Sequence, residues 1–212
     1  VETHVYDHPC ITAKNRTICE VEGRKQIRAI VDLLRKYMPD GDNVQLSGIG
    51  TEIGIRESYK FETEYCLKDK DVLGVGEEFV DSILSSSYPM DIHYPNRKGV
   101  VMRYLNGTEK IMTREKTTMG KWKEYTGVYP QCWHAPYRML LLREYENVIL
   151  AGRMIQCEHG AYSAVRVRIN LNQIGEAAGV GAALAVKNQC DVKSIDIVQL
   201  QKELKQGAFL KV

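Results

Sequence analysis

The sequence predicts an α+β fold, and three stretches carry that prediction. Apolar residues recur at helical spacing between Glu22 and Tyr37. Two apolar runs flank Asn106-Gly107, the strongest short signal for a β-hairpin. A helix rich in Gly and Ala is expected from about Asn172 to Lys187. Helices towards both ends with hairpin-connected strands between them make a mixed or antiparallel sheet with flanking helices.

Composition narrows the classes that remain. A chain of 212 residues is one domain or a large part of one. It can bury about 70% of its unfolded surface. A net charge of +2 leaves no dominant basic stripe, so no nucleic-acid partner is expected. The apolar runs Met139–Leu142 and Val148–Ala151 are too short to span a bilayer, so no membrane partner is expected either. A small molecule is the expected partner, and a homo-oligomer is compatible with this composition. The chain starts at Val1 in a polar run, which suggests a processed or excised segment. Cys10, Cys19, Cys66, Cys132, Cys157 and Cys190 form no CxxC pair. Their irregular spacing argues against a disulfide framework or a structural zinc site, and for reduced thiols in the cytoplasm.

Taken in order, residues 1–21 read as extended. The helix Glu22–Tyr37 follows, with Ile27, Ile30, Val31, Leu34 and Met38 on its apolar side and Pro39 and Gly41 to stop it. Ile53 and Ile55 alternate with small or polar residues, as on a half-buried strand. Tyr59–Leu67 alternates most cleanly and reads as the best strand, with Asp69 or Asp71 capping a short turn after it. Glu77–Ser85 reads as a short helix with Phe79, Ile83 and Leu84 inward. The prolines around Met90-Asp91-Ile92-His93 make that segment extended. Val100–Leu105 and Glu109–Arg114 are the hairpin strands, and Glu115–Lys123 an exposed loop. The apolar run Val148–Ala151 reads as a buried strand closing on Gly152-Arg153. A last helix, capped by Ser194 or Asp196, presents Ile197, Leu200 and Leu204 on one face and ends near Gly207.

Several residues are candidates for chemistry, each with a plain alternative. Gly175, Ala178, Gly179 and Ala182 share one face of the Gly/Ala helix, so something approaches that backbone closely. A second helix is one occupant. A cofactor ring or phosphate near a helix start close to Gly175 is the other. Arg56 beside Glu57 is either a local ion pair or a contact for an anionic substrate. His93 shares a strand face with Asp91, as a structural histidine or as an acid/base pair. His159, between Glu158 and Gly160 on a loop, is the preferred acid/base group because imidazole titrates near neutrality. Arg166 is a further substrate-orienting candidate. Cys157 reads as a bystander thiol. A metal-dependent hydrolase using His93, Asp91, His134 or His159 lacks any recognisable ligand spacing, so no metal is expected.

Five elements in order then carry a resemblance. They are Gly54-Ile55-Arg56-Glu57-Ser58, Asp91-Ile92-His93, Pro136-Tyr137-Arg138, the stretch Ile149–Val186, and the closing Leu200–Leu210. Together they resemble the FAD-dependent oxidoreductase family of two-dinucleotide-binding-domain flavoproteins, in its C-terminal part. The resemblance spans roughly residues 45–210. It implies a substrate-side region over 1–145. It also implies that 146–212 supplies the C-terminal strand and helices completing an FAD-binding Rossmann-like domain. By the same resemblance Gly152, Arg153, Gly175, Ala177, Ala178 and Gly179 border the ribityl and flavin-ring portion of FAD. The family's N-terminal GxGxxG unit, which holds the ADP half, is not in this sequence. The chain is therefore expected to be a C-terminal fragment that is inactive by itself and does not retain FAD. The competing expectation is a non-catalytic binding module of flavoprotein ancestry.

Overall fold

A computed structural model describes residues 3–6, 8–57, 59–94 and 99–205 of the chain. The fold is mixed α+β, with helices and antiparallel sheets. It divides into two compact units, Val1–Tyr59 and Lys60–Val212. No helix among the described residues is long and apolar enough to cross a membrane. Ser58, Pro95, Gly207 and the end of the closing Leu200–Leu210 element lie outside the described residues.

The first unit is built on α1 (Ala13–Tyr37). This helix starts well before Glu22, so the expectation of an extended segment to residue 21 is corrected. Thr12 is the reason: its Oγ1 accepts the Asn15 N–H at 3.2 Å and satisfies one of the free donors of the first turn. Ile27, Ile30, Val31 and Leu34 are half-buried, whereas Met38 is exposed and caps the helix by donating its N–H to Leu34 O. The segment after the helix runs back along α1. Arg35 Nε donates to Val44 O at 3.0 Å, and the Ile53 N–H reaches Glu20 Oε1 at 2.5 Å. Ile53 and Ile55 are half-buried as expected, but they lie on no strand. Here a side-chain carboxylate, not a neighbouring strand, takes the backbone donor.

The second unit has two antiparallel sheets. In the first, β1 (Ser82–Ser86) pairs with β6 (Trp133–Pro136). In the second, β2 (Met90–His93), β3 (Val100–Arg103), β4 (Thr108–Met112) and β5 (Thr117–Lys121) form a meander in that order. The turn at Asn106-Gly107 joins β3 to β4 as the sequence predicts, with the Thr108 N–H donated to Asn106 Oδ1. Three expectations change. Glu77–Ser85 is not a helix; its C-terminal half is β1, where Ile83 and Leu84 are both buried and the register shifts between Ser82 and Leu84. A short apolar run buried on both sides has no helical or strand period to distinguish it. The loop expected at 115–123 contains β5, an edge strand exposed along its whole length. Tyr59–Leu67 and Val148–Ala151 are extended but not regular strands. Thr63 bridges Leu142, Leu67 bridges Cys157 and Ile149 bridges Leu141. Because Thr63 and Leu67 meet different segments, no continuous ladder forms.

Among the described residues, four helices complete this unit: α2 (Asp69–Val72), α3 (His159–Val165), α4 (Arg168–Asn188) and α5 (Ile197–Leu204). Asp196 caps α5, its Oδ1 accepting from Val198 and Gln199 N–H. Leu200 and Leu204 are fully buried beneath that helix. α4 packs on β1 and α5. Its inner face carries Gln173, Ile174, Ala177, Ala178, Gly181, Leu184 and Ala185. The Gln173 side chain forms a two-way pair with the backbone of Ser85. Its Oε1 accepts the Ser85 N–H at 3.1 Å, and its Nε2 donates to Ser85 O at 3.1 Å. Gly181 lies against the buried Tyr137, whose hydroxyl donates to Val192 O at 3.1 Å. A Cβ at Gly181 would stand 2.6 Å from that hydroxyl oxygen, whereas one at Gly175 or Gly179 meets nothing within 4 Å. The close-approach stripe of this helix is therefore the one through Ala177 and Gly181. The stripe through Gly175 and Gly179 faces outward.

This contrast gives a paired prediction. Gly181→Ala lowers stability by about 1–3 kcal/mol through overpacking against Tyr137. Gly175→Ala raises it by up to about 1 kcal/mol through helix propensity. Urea midpoints of the two variants check it; shifts of the same sign contradict the assignment of faces.

Candidate functional site

The sequence candidates of the second unit gather where α3 packs on β2. Along β2 the even positions Met90 and Ile92 are buried, and Asp91 and His93 share the half-open face. That is the strand alternation expected from their i, i+2 spacing. The two side chains meet: His93 Nε2 is 3.3 Å from Asp91 Oδ1. Arg166, the C-cap of α3, comes to the other carboxylate oxygen, with Nη2 at 3.4 Å from Oδ2, and at the same distance from Asp91 O. One carboxylate thus holds an imidazole and a guanidinium. The Asp91 backbone is fixed as well, its N–H donated to Ser163 Oγ at 2.9 Å while that hydroxyl donates to Gly160 O at 2.6 Å.

His159 sits at the other end of α3. It is the first residue of that helix, not a loop residue, and it is exposed. Its ring lies 5.7 Å from that of Tyr94, the residue after β2. The start of α3 is tied to α2 by a reciprocal pair. Glu158 Oε2 accepts the Asp69 N–H at 2.7 Å, and Asp69 Oδ1 accepts the Ala161 N–H at 2.8 Å. Gly160 nests against Met90 and the Asp69 carboxylate, where a Cβ has no room. β2, α2 and α3 therefore form one block that carries His93, Arg166 and His159. Arg56 belongs to the first unit and is half-buried there. Cys157 is buried, as a bystander thiol would be.

The residues expected at a flavin are arranged around α4. Gly152 opens a 3-10 turn, Gly152–Met154, that packs on α4. Its φ of +83° is one that side chains rarely adopt, which explains glycine there. Arg153 is exposed. Ala177 and Ala178 are buried and pack inward, so they do not present themselves to a ligand. Gly175 and Gly179 are open on the outer face. The helix starts at Arg168, not near Gly175, so Gly175 lies inside the helix and its N–H is not a free terminal donor. Among the described residues no group of three or more His, Cys, Asp or Glu side chains could hold a metal ion.

Other contacts were not foreseen from the sequence. Arg138 forms a 2.6 Å ion pair with Asp81, whose Oδ2 also accepts the Arg138 N–H. The guanidinium stacks over Tyr65 and Phe79. The Tyr137 and Arg138 of the Pro136-Tyr137-Arg138 element are thus a packing post and a charge anchor. A cleft of about 580 Å³ opens beside Phe79, Trp133 and His134, away from His93, His159 and Arg166. His134 Nε2 lies 3.4 Å from Cys132 Sγ, and burial pushes that thiol up, which keeps it neutral. No local motif marks these contacts, since Asp81 and Arg138 are far apart in the chain.

The family assignment follows from comparison with known proteins. A family model described as FAD dependent oxidoreductase matches residues 1–204. The chain belongs to that family. No curated protein and no solved structure matches it. At Gly152, Gly175 and Gly179 an added Cβ would meet nothing within 4 Å.

Two tyrosines set an alkaline limit. Burial, and then the hydrogen bond to Asp71 Oδ2 at 2.8 Å, push the Tyr65 hydroxyl well above its ordinary value of 10. Burial does the same to Tyr137. The unfolded chain therefore releases these protons first. Their contribution is fully present below about pH 10 and declines as pH rises beyond it. Urea midpoints measured from about pH 8 to about pH 11 should fall at the alkaline end, and Tyr65→Phe should flatten that fall. An equally steep decline in the variant contradicts the assignment.

Proposed function

We propose that this chain provides the substrate-side layer and the flavin-ring contacts of an FAD-dependent oxidoreductase acting on a small molecule. The family match over residues 1–204 carries this reading. On this reading residues 1–145 form the substrate side and residues 146–212 the flavin side, and the enzyme works in the cytoplasm.

The residues present suit the ring end of the cofactor. Backbone at Gly175 and Gly179 is uncovered, and Gly152 turns the chain without a side chain in a 3-10 turn that packs on α4. A flat ring can lie against such a surface. A bound flavin would supply the electron- or hydride-accepting centre. The sequence contains no GxGxxG cradle, so the ADP half is held by a dinucleotide unit outside this sequence. This chain would then be a C-terminal piece, inactive and free of FAD when isolated.

The chain's own groups divide the remaining work. Asp91 fixes the positions of His93 and Arg166 and offsets part of the guanidinium charge. Arg166 stays cationic at any working pH and orients an anionic or strongly polar substrate group. His93, held by the same carboxylate, positions a substrate hydrogen-bonding group. His159 is exposed beside Tyr94, and its imidazole exchanges a proton with substrate.

The test uses the enzyme complete with its dinucleotide unit. Gly179→Leu fills the outer α4 face and should abolish the flavin absorbance of the purified enzyme while leaving its thermal midpoint near the parent value. Full flavin content in that variant would falsify the ring placement. His159→Ala should retain flavin and lose about 100-fold in kcat; an unchanged kcat removes His159 from the chemistry.

A further inference from the structure

The first unit carries two sulfur atoms that the flavin chemistry does not use. Cys10 lies just before the Thr12 cap of α1, and Cys19 lies further along that helix. The nine-residue separation hides them from any CxxC search, yet the chain brings their Sγ atoms to 3.5 Å. Cys10 is half-buried and Cys19 is 2% exposed. The turn between them is held in place. The Ile11 N–H donates to Pro9 O at 2.8 Å, Asn15 Nδ2 donates to the same oxygen at 2.8 Å, and the Asn15 N–H donates to Thr12 Oγ1. Cys10 Sγ also lies 3.6 Å from His8 O. The two thiols are thus neighbours by construction of the helix start.

We propose that Cys10 and Cys19 form a dithiol site for small-molecule disulfides of the glutathione class, which they reduce while closing an intramolecular disulfide. Cys10 is the more accessible sulfur and reacts first. Its thiol gives a proton to solvent, and the thiolate attacks one sulfur of the small disulfide. The S–S bond of the small molecule breaks, and one thiolate leaves and takes up a proton. Cys19 then loses its proton to solvent and attacks the Cys10 sulfur of the mixed disulfide. The second small thiolate leaves and is protonated. Two protein thiols are oxidised by two electrons in all, and one disulfide is reduced to two thiols. Closing from contact to a bond of about 2.05 Å needs only rotation about the side chains and a small shift of the turn. Burial pushes the Cys19 thiol up, so Cys19 attacks second, once the mixed disulfide is held beside it.

Peptide mapping of the folded protein after exposure to oxidised glutathione tests this. Cleavage after Lys14 and Arg16 separates the two cysteines. The expected product joins the peptide ending at Lys14 to the peptide Thr17–Arg24, with a mass equal to their sum less two hydrogen atoms. In Cys19→Ser the expected product is a stable glutathione adduct on Cys10. A stable adduct on Cys10 of the parent protein with Cys19 unmodified overturns the proposal. So does Cys10 joined to any other cysteine, or no reaction at either thiol.

Discussion

The second unit depends on how α4 is seated. The helix has small residues on nearly every side, so apolar bulk alone does not decide which face turns inward. Two directional contacts decide it. Gln173 copies a strand neighbour by exchanging both hydrogen bonds with Ser85 of β1. Each of these bonds stabilises the fold by about 1 kcal/mol, and leaving the buried amide unpaired would cost more. Gly181 then admits the ring of Tyr137, whose hydroxyl reaches on to Val192. With these two points fixed, Gly175 and Gly179 have to face outward. The open face of α4 is the remainder left by this packing.

The same logic joins the two halves of the candidate site. Arg138 is held by Asp81 in the segment leading into β1, and Tyr137 follows β6, so the β1–β6 pair is locked to α4 from one side. β2, α2 and α3 form the neighbouring block, closed by Asp69, Glu158 and Ser163. Asp91 sits in that block with a fixed backbone and a partly exposed carboxylate. A carboxylate in such a position can hold His93 and Arg166 in place without neutralising either completely.

Much of this was legible in the sequence where one local signal sufficed. Asn106-Gly107 marks the hairpin, Asp196 the start of α5, and the spacing of Asp91 and His93 their common face. Legibility failed where the deciding partner is distant in the chain. The run Phe79, Ile83, Leu84 fits a short helix as well as a buried strand, and only pairing with Trp133–Pro136 makes it β1. Tyr59–Leu67 alternates well but meets two separate partners, so it stays irregular. In α4 the stripe of Gly175, Ala178, Gly179 and Ala182 is open at its two glycines, and the close approach within the fold runs through Ala177 and Gly181. Seven Gly and Ala residues between Gly175 and Ala183 leave the period without contrast. The burial of Gln173 is what breaks the tie, and a polar residue gives no such signal in sequence. The pair Cys10 and Cys19 is a similar case, brought together by a helix start whose cap, Thr12, carries no capping-box partner three residues on.

We propose that the outer face of α4 at Gly175, open in the chain, is covered by the flavin in the working enzyme. Thiol labelling of Gly175→Cys, read by peptide mapping in the complete enzyme with and without FAD, addresses it most directly. The account predicts rapid labelling without FAD and protection when FAD is bound. Labelling at the same rate in both states would contradict it.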